Sequence, residues 1–498
     1  MSDWVTATAS EQLSALHAGK ISSVELVSKT IERSQSVDPV VNPIALELYE
    51  PALEAARKAD QHFVDGTAGA LCGLPVSVKD SQWLANYPCM NGSLSLSEFI
   101  PEQTCQAIER LQNAGAVIFA KTTCPEYSLS GTTNSLAYGA TLNPWDLTRT
   151  PGGSSGGAAA AIAAGLGSLS LGGDGGGSIR IPSAFCGIVG FKPSFGVVPR
   201  SPGFSTWESL VAYGPMCRSV ADARLMFEVM ANPQSSPVPS GETRLSGLKI
   251  MVSEDLGFAP VDQDIRQLFR KLVADIEHVF PGLQHGNPGL KSSVKTWATL
   301  ATSDMWQKKG DNSSNSYADS EGMGYYAKGF IEFGRRIKQE DIVRANRKAA
   351  SVGNLYRDWL NRHDAQILIT PTLGSEAFSN DLVAPAFIGG HAITYPWLDW
   401  AGLLYDANLA GFPACSIPMG VGDEGLPVGL QIQGLPGTDQ LVLDVAEQLE
   451  RIISWQHKIA PDFAGDIHMP ATLKSDRHAH LQEHVTDSVP SLSESAAP

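Results

Sequence analysis

Residues 150–182 read TPGGSSGGAAAAIAAGLGSLSLGGDGGGSIRIP. This stretch holds eleven glycines, five serines, one acid and one arginine, and no histidine. Glycine at this density suits backbone that must turn with positive φ or approach another chain closely. A phosphate cradle is one reading, but no GxxxxGK[ST] is present and no GxGxxG opens a helix after a strand. A nucleophilic serine is another. GSSGG at 153–157 formally matches G-x-S-x-G, with Ser155 as the elbow nucleophile of a Ser-His-Asp esterase. An elbow needs a strand before it and a histidine partner. What precedes is NPWDLTRTPG, with two prolines, and no histidine occurs from Phe63 to Glu277.

A neutral lysine can do the work of histidine, provided burial lowers its pKa of about 10.4 by several units. Lys79 ends the apolar run LPVSV, where a strand can deliver its side chain into a dry pocket. Composition alone would read it as a surface lysine beside Asp80.

Outward from this stretch, short apolar runs alternate with helical segments. Ala9–Val37 reads as two helices, capped by Ser10 and by Ser22 or Ser23, with Glu25 placed for a capping box. Strands are expected in 73–80, 116–122, 248–256, 365–372 and 414–420, and helices in 51–63, 107–114, 264–280 and 438–453. The alternation predicts an α/β fold with one large mixed or parallel sheet. Residues from about 287 to 345, rich in Trp and Tyr, are expected as a helical excursion over the core. The polar tail 469–498 is expected to be disordered, and its His478, His480 and His484 to be solvated rather than metal-bound.

The whole chain has 498 residues, 43% hydrophobic and 18% charged, which supports an ample core. Its 36 basic and 52 acidic residues give a net charge of −16. That argues against nucleic acid and anionic membrane as partners. Seven cysteines without a CxxC pair fit a reducing compartment, so a cytoplasmic location is expected. The first residues lack a signal-peptide pattern, and no run of about 18 apolar residues predicts a membrane span.

Several blocks together resemble the amidase signature family. They are GLPVSVKD around Lys79, TPGGSSGGAAAAIAAG at 150–165, GGDGGGSIRIPSAFCGIVGFKPS at 172–194, GPMCRSVAD at 214–222, LITPT at 368–372 and NLAGFPACSIPMG…GLPVGLQIQG at 408–434. The two serines lie 24 residues apart and the lysine 75 residues further back, in keeping with that family. The resemblance implies a single large α/β domain over 71–468, its central mixed sheet covered by helices on both faces, with 1–70 packed on it as a helical segment. It also implies a Ser-cisSer-Lys triad. Ser178 would be the nucleophile, Ser154 the bridging serine on a cis peptide flanked by Gly152, Gly153, Gly156 and Gly157, and Lys79 the base. The N–H groups of Gly175, Gly176, Gly177 and Ser178 would form the oxyanion hole. Ser128, Ser130 and Gly131 are expected to contact substrate. Asp174 and Arg180 read as scaffold, and Cys186 as core. Ile181 stands where some relatives place a carboxylate-binding arginine, which disfavours a dicarboxylate half-amide.

The expected activity is hydrolysis of a small apolar or aryl carboxamide, anilide or carbamate, with no metal and no cofactor. Trp207, Tyr213, Trp306, Trp397 and Trp400 fall in regions that differ between family members; they read equally as the lining of an aromatic pocket, which would suit such a substrate, and as core residues. A glutamine-hydrolysing component of an amidotransferase complex would keep the same triad; the surroundings of YDANLAG and the lack of an obvious partner-docking helix speak for the free enzyme. A homodimer is left open.

Overall fold

The computed structural model describes residues 4–231, 247–308, 323–394, 398–455 and 459–463. The expected disordered tail with its histidines, and Trp397, lie outside these residues. Among them are eleven strands of one mixed sheet, flanked by thirteen α-helices. In chain order the strands are β1 (Ile44–Glu47), β2 (Pro75–Lys79), β3 (Val117–Thr122), β4 (Leu169–Asp174), β5 (Val189–Lys192), β6 (Ala212–Cys217), β7 (Ile250–Val252), β8 (Leu283–His285), β9 (Ile367–Pro371), β10 (Ala414–Val421) and β11 (Pro427–Gly434). Across the sheet they run β1-β3-β2-β4-β6-β5-β10-β11-β9-β7-β8. The pairs β3–β2, β2–β4, β9–β7 and β7–β8 are parallel, and the remaining pairs are antiparallel.

Residues of β2, β3, β4, β5 and β6 are buried one after another rather than in alternation. Strands of that kind have both faces covered. One cover is helix Gly156–Ala163, whose eight residues are all buried. Seven of its eight residues are glycine or alanine, Ile162 being the exception, and such small side chains let the helix press closely against the sheet.

The parallel register of β2 and β4, with Val76 opposite Leu169 and Val78 opposite Leu171, ends both strands at the same edge. The chain leaves β2 at Lys79 and β4 at Asp174. That edge, at the carboxyl ends of adjacent parallel strands, is where an α/β sheet leaves a crevice.

Two local expectations are corrected. Thr8, not Ser10, caps the first helix, in a capping box with Glu11. Ser10 instead donates to Asp222 at 2.9 Å, because the helix start is docked on the helix Val220–Met230. The strand expected over 248–256 is only Ile250–Val252, because Ser253 bonds the N–H of Leu256 and turns the chain. The expected excursion contains the helices Val294–Gln307, Tyr325–Arg335 and Gln339–Arg362, the last running to residue 362. No described helix is long and apolar enough to cross a membrane.

Candidate active site

Lys79 leaves the end of β2 and is 1% exposed. Its Nζ lies 2.6 Å from Ser154 Oγ in a hydrogen bond. Burial lowers its pKa to about 8, against the opposing pull of Cys124, Asp174 and Asp80. At that value about one molecule in ten carries the neutral amine at pH 7. The peptide Gly153–Ser154 is cis. Gly152 takes φ +80 just before it, while Gly153 is held by contact: a Cβ there would sit 2.6 Å from the Thr132 carbonyl oxygen.

The loop 175–179 joins β4 to helix Arg180–Cys186. Its backbone meets the serine pair where Ser155 N–H donates to the Ser178 carbonyl at 3.2 Å. Ser178 is the one residue between Leu171 and Arg180 that is not fully buried.

Ser155 itself is 0% exposed. Its hydroxyl donates to the Gly173 carbonyl and accepts from the Gly173 N–H, both at 3.3 Å. No strand precedes it; the chain from 150 to 155 is irregular. The geometry of an elbow nucleophile is absent at this position.

One expected oxyanion donor is redirected. The Gly177 N–H donates to Asp174 Oδ1 at 2.7 Å, so it faces the scaffold and not the crevice. Gly177 has φ +118, a conformation that suits glycine. Of the four expected donors, this bond leaves Gly175, Gly176 and Ser178.

Asp174 and Arg180 hold this loop from below. Arg180 Nε donates to Asp174 Oδ2 at 2.9 Å and Nη2 to Oδ1 at 3.1 Å, both side chains being 0% exposed. The remaining guanidinium hydrogens reach the Leu404 carbonyl, Gln431 and Asn408. Burial pushes the Asp174 carboxyl up, but the charge and hydrogen bonds of Arg180 outweigh it and hold the group well below the usual carboxylate range. Removing one partner of such a pair strands the other charge. Arg180→Met is expected to cost about 3–5 kcal/mol of stability, read from urea unfolding followed by tryptophan fluorescence; a loss under about 1 kcal/mol would contradict this reading.

The crevice above Ser178 is lined by Ser128, Leu129, Ser130, Gly131, Gly176, Ile181, Trp207, Trp297, Leu398, Trp400, Ala401 and Tyr405. All three expected substrate-contact residues therefore lie beside the expected nucleophile. Trp207 and Trp400 line it too, whereas Tyr213 and Trp306 do not. Cys186 is buried and donates to the Pro151 carbonyl, consistent with a core residue. Sequence reasoning missed Trp297 and Tyr405. Trp297 Nε1 donates to the Gly175 carbonyl at 2.7 Å, and its ring lies 4.8 Å from that of Tyr405. An aromatic residue more than a hundred positions downstream carries no local signal for such a contact.

The indoles rest directly on glycine backbone. A Cβ on Gly131 would lie 2.5 Å from Trp400, on Gly175 2.8 Å from Trp207 and on Gly176 2.7 Å from Trp297. This explains glycine at 175, where a larger residue would displace Trp207. None of the described lining side chains is charged.

The profile of the Amidase family matches residues 25–443. The chain belongs to the amidase signature family. Its relatives include the acylamidase of Rhodococcus erythropolis, 31% identical over 478 residues, with 92% of this chain and 98% of the relative covered. They also include a glutamyl-tRNA(Gln) amidotransferase subunit of Cyanothece sp., 32% identical over 464 residues, with 88% and 96% covered. Among solved structures, a bacterial aryl acylamidase of the same family superposes on this amidase with a TM-score of 0.82 at 25% identity, over 93% of this chain and 99% of that one. The protein is thus an amidohydrolase of this family, in the single-domain α/β fold that the resemblance implied.

Proposed function

We propose that this amidase hydrolyses small carboxamides bearing an apolar or aryl group, through an acyl-enzyme on Ser178. The observation that carries the reading is the buried 2.6 Å contact of Lys79 with Ser154, whose neighbour Ser155 bonds the backbone of Ser178; of the three triad residues only Ser178 lines the aromatic crevice, whose described lining carries no charge. Neutral Lys79 takes the proton of Ser154, and Ser154 takes that of Ser178 as its oxygen attacks the carbonyl carbon. The N–H groups of Gly175, Gly176 and Ser178 stabilise the oxyanion. Ser154 then hands a proton to the leaving nitrogen, which cannot depart as an anion. Water enters by the same relay and releases the acid.

Glutamine hydrolysis for an amidotransferase is the second reading, favoured by relatives of that name. Glutamine brings an ammonium and a carboxylate, and burying either without a partner is costly. None of the described lining residues offers a cation or an anion to meet them, and Ile181, where some relatives place a carboxylate-binding arginine, is apolar. Seven buried free thiols support a cytoplasmic location.

A panel of p-nitroacetanilide, aliphatic amides, an aryl carbamate and glutamine, assayed with EDTA present, tests this. The expected result is kcat/KM for the anilide at least about 100-fold above that for glutamine, the scale set by leaving a buried charge unpaired. Glutamine preferred over every apolar amide would overturn the reading.

A further inference from the structure

Lys79 and Asp80 are sequence neighbours, yet no ion pair joins them. The sheet keeps them apart. In the β2–β3 register Val78 lies opposite Lys121 and Lys79 opposite Thr122. Paired residues of parallel strands share a face, and successive residues alternate faces. Lys121 therefore emerges on the face of Val78, which is also that of Asp80; the Asp80 N–H still donates to the Thr122 carbonyl at 3.0 Å. Lys79 emerges on the other face, towards Ser154. Both Asp80 oxygens are taken: Oδ1 by Lys121 Nζ at 2.9 Å, and Oδ2 by the Tyr138 hydroxyl at 2.5 Å. Lys121 is 0% exposed and its Nζ also donates to the Pro88 carbonyl at 2.7 Å.

We propose that Lys121 is a positioning residue for the proton relay: with Tyr138 it clamps the Asp80 carboxylate on the far face of the sheet, so that Lys79 can stand uncharged against Ser154. Without Lys121, Lys79 becomes the nearest cation to a buried carboxylate. A carboxylate so placed would hold the proton on Lys79. The other groups around the two residues do not offset this. Asp174 faces Lys79 but is committed to Arg180. Cys124 and Cys89 lie beside the pair, and burial pushes both thiols up, Cys124 to about 12, so they stay neutral. Cys89 donates to the main-chain carbonyls of Asp80, at 2.8 Å, and Gln82, at 3.8 Å, leaving the carboxylate to Lys121 and Tyr138.

The inference rests on Lys79 as the base, so the test uses a readout that needs no amide substrate. A fluorophosphonate, from which Ser178 displaces fluoride, is reacted with the full chain across pH 6–10, and the labelling rate is followed by intact mass. Wild type should show a rate rising with pH to a plateau near the Lys79 pKa of about 8. Lys121→Met should move that limb up by about one pH unit, a tenfold slower rate at pH 7. Lys121→Arg should restore it. In Lys121→Met/Asp80→Asn, where charge and counter-charge leave together, the limb should return to wild type or below. If Lys121→Met does not fold, Tyr138→Phe, which strips one donor from Asp80, should move the limb upward by a smaller step. A limb unmoved in whichever of these single variants folds, or still raised in the folded double variant, overturns the clamp. A wild-type rate with no limb overturns the clamp together with the base assignment; labelling with the limb intact but no amide hydrolysed sinks only the substrate reading.

Discussion

Ser178→Ala is expected to lower kcat/KM for the best amide by about 10⁴-fold or more, with KM little changed. Loss of an activated nucleophile removes the covalent route altogether, and what remains comes from the oxyanion donors and from binding. Ser155→Ala supplies the contrast. Its hydroxyl is closed off from the crevice and tied to both polar groups of Gly173. Its removal should cost about 1–3 kcal/mol of stability, as for a buried donor–acceptor left unsatisfied, with activity lowered about tenfold or less. An esterase elbow at Ser155 would give the reverse order. Kinetics of the two purified variants, each checked for cooperative unfolding, separate the cases.

The second large effect is at Lys79. The base must be neutral, so activity should rise with pH and level off above about 8, the value to which burial lowers Lys79. Lys79→Met should abolish the limb and cost about 10³-fold or more at pH 8. Stability should move the other way. In the unfolded chain the amine titrates near 10.5, and in the folded chain near 8. Below pH 8 both states hold the proton and the folded state bears the full cost of a buried charge. Between 8 and 10.5 the unfolded state binds more protons, so wild-type stability climbs with pH. Lys79→Met should therefore be more stable than wild type by roughly 3 kcal/mol at pH 7, a gain that shrinks above pH 8. Thermal unfolding at pH 7 and pH 10 measures it; a Met variant less stable than wild type at pH 7 would contradict a buried, high-cost lysine.

How much of this could be read from the chain depends on where the contacts are. The serine stretch and Lys79 were legible because each sits in a long local pattern, and the same blocks carry the sheet edge that brings them together. Ser128, Ser130 and Gly131 were legible as neighbours of the site for the same reason. The direction of single N–H groups was not. Gly177 belongs to the donor motif by sequence, yet its N–H turns to Asp174, a choice made by the Arg180 pair beneath the loop. Trp297 and Tyr405 reach the crevice from helices distant in sequence, and only the packing of indoles on bare glycine backbone reveals why. The Thr8 cap displaced the expected Ser10 because Asp222, over 200 residues away, claims Ser10. Strand ends at 248–256 were set by one side chain, Ser253, folding back on Leu256.

The central claim is that Ser178, and no other serine, becomes covalently bonded to the acyl group. Rapid acid quenching of the enzyme during turnover of a p-nitrophenyl ester or anilide, followed by proteolysis and peptide mass spectrometry, locates that bond. The account predicts one acyl group per chain, on the peptide carrying Ser178 and absent from Ser178→Ala. An acyl group on Ser154 or Ser155, or turnover that persists in Ser178→Ala, would contradict it.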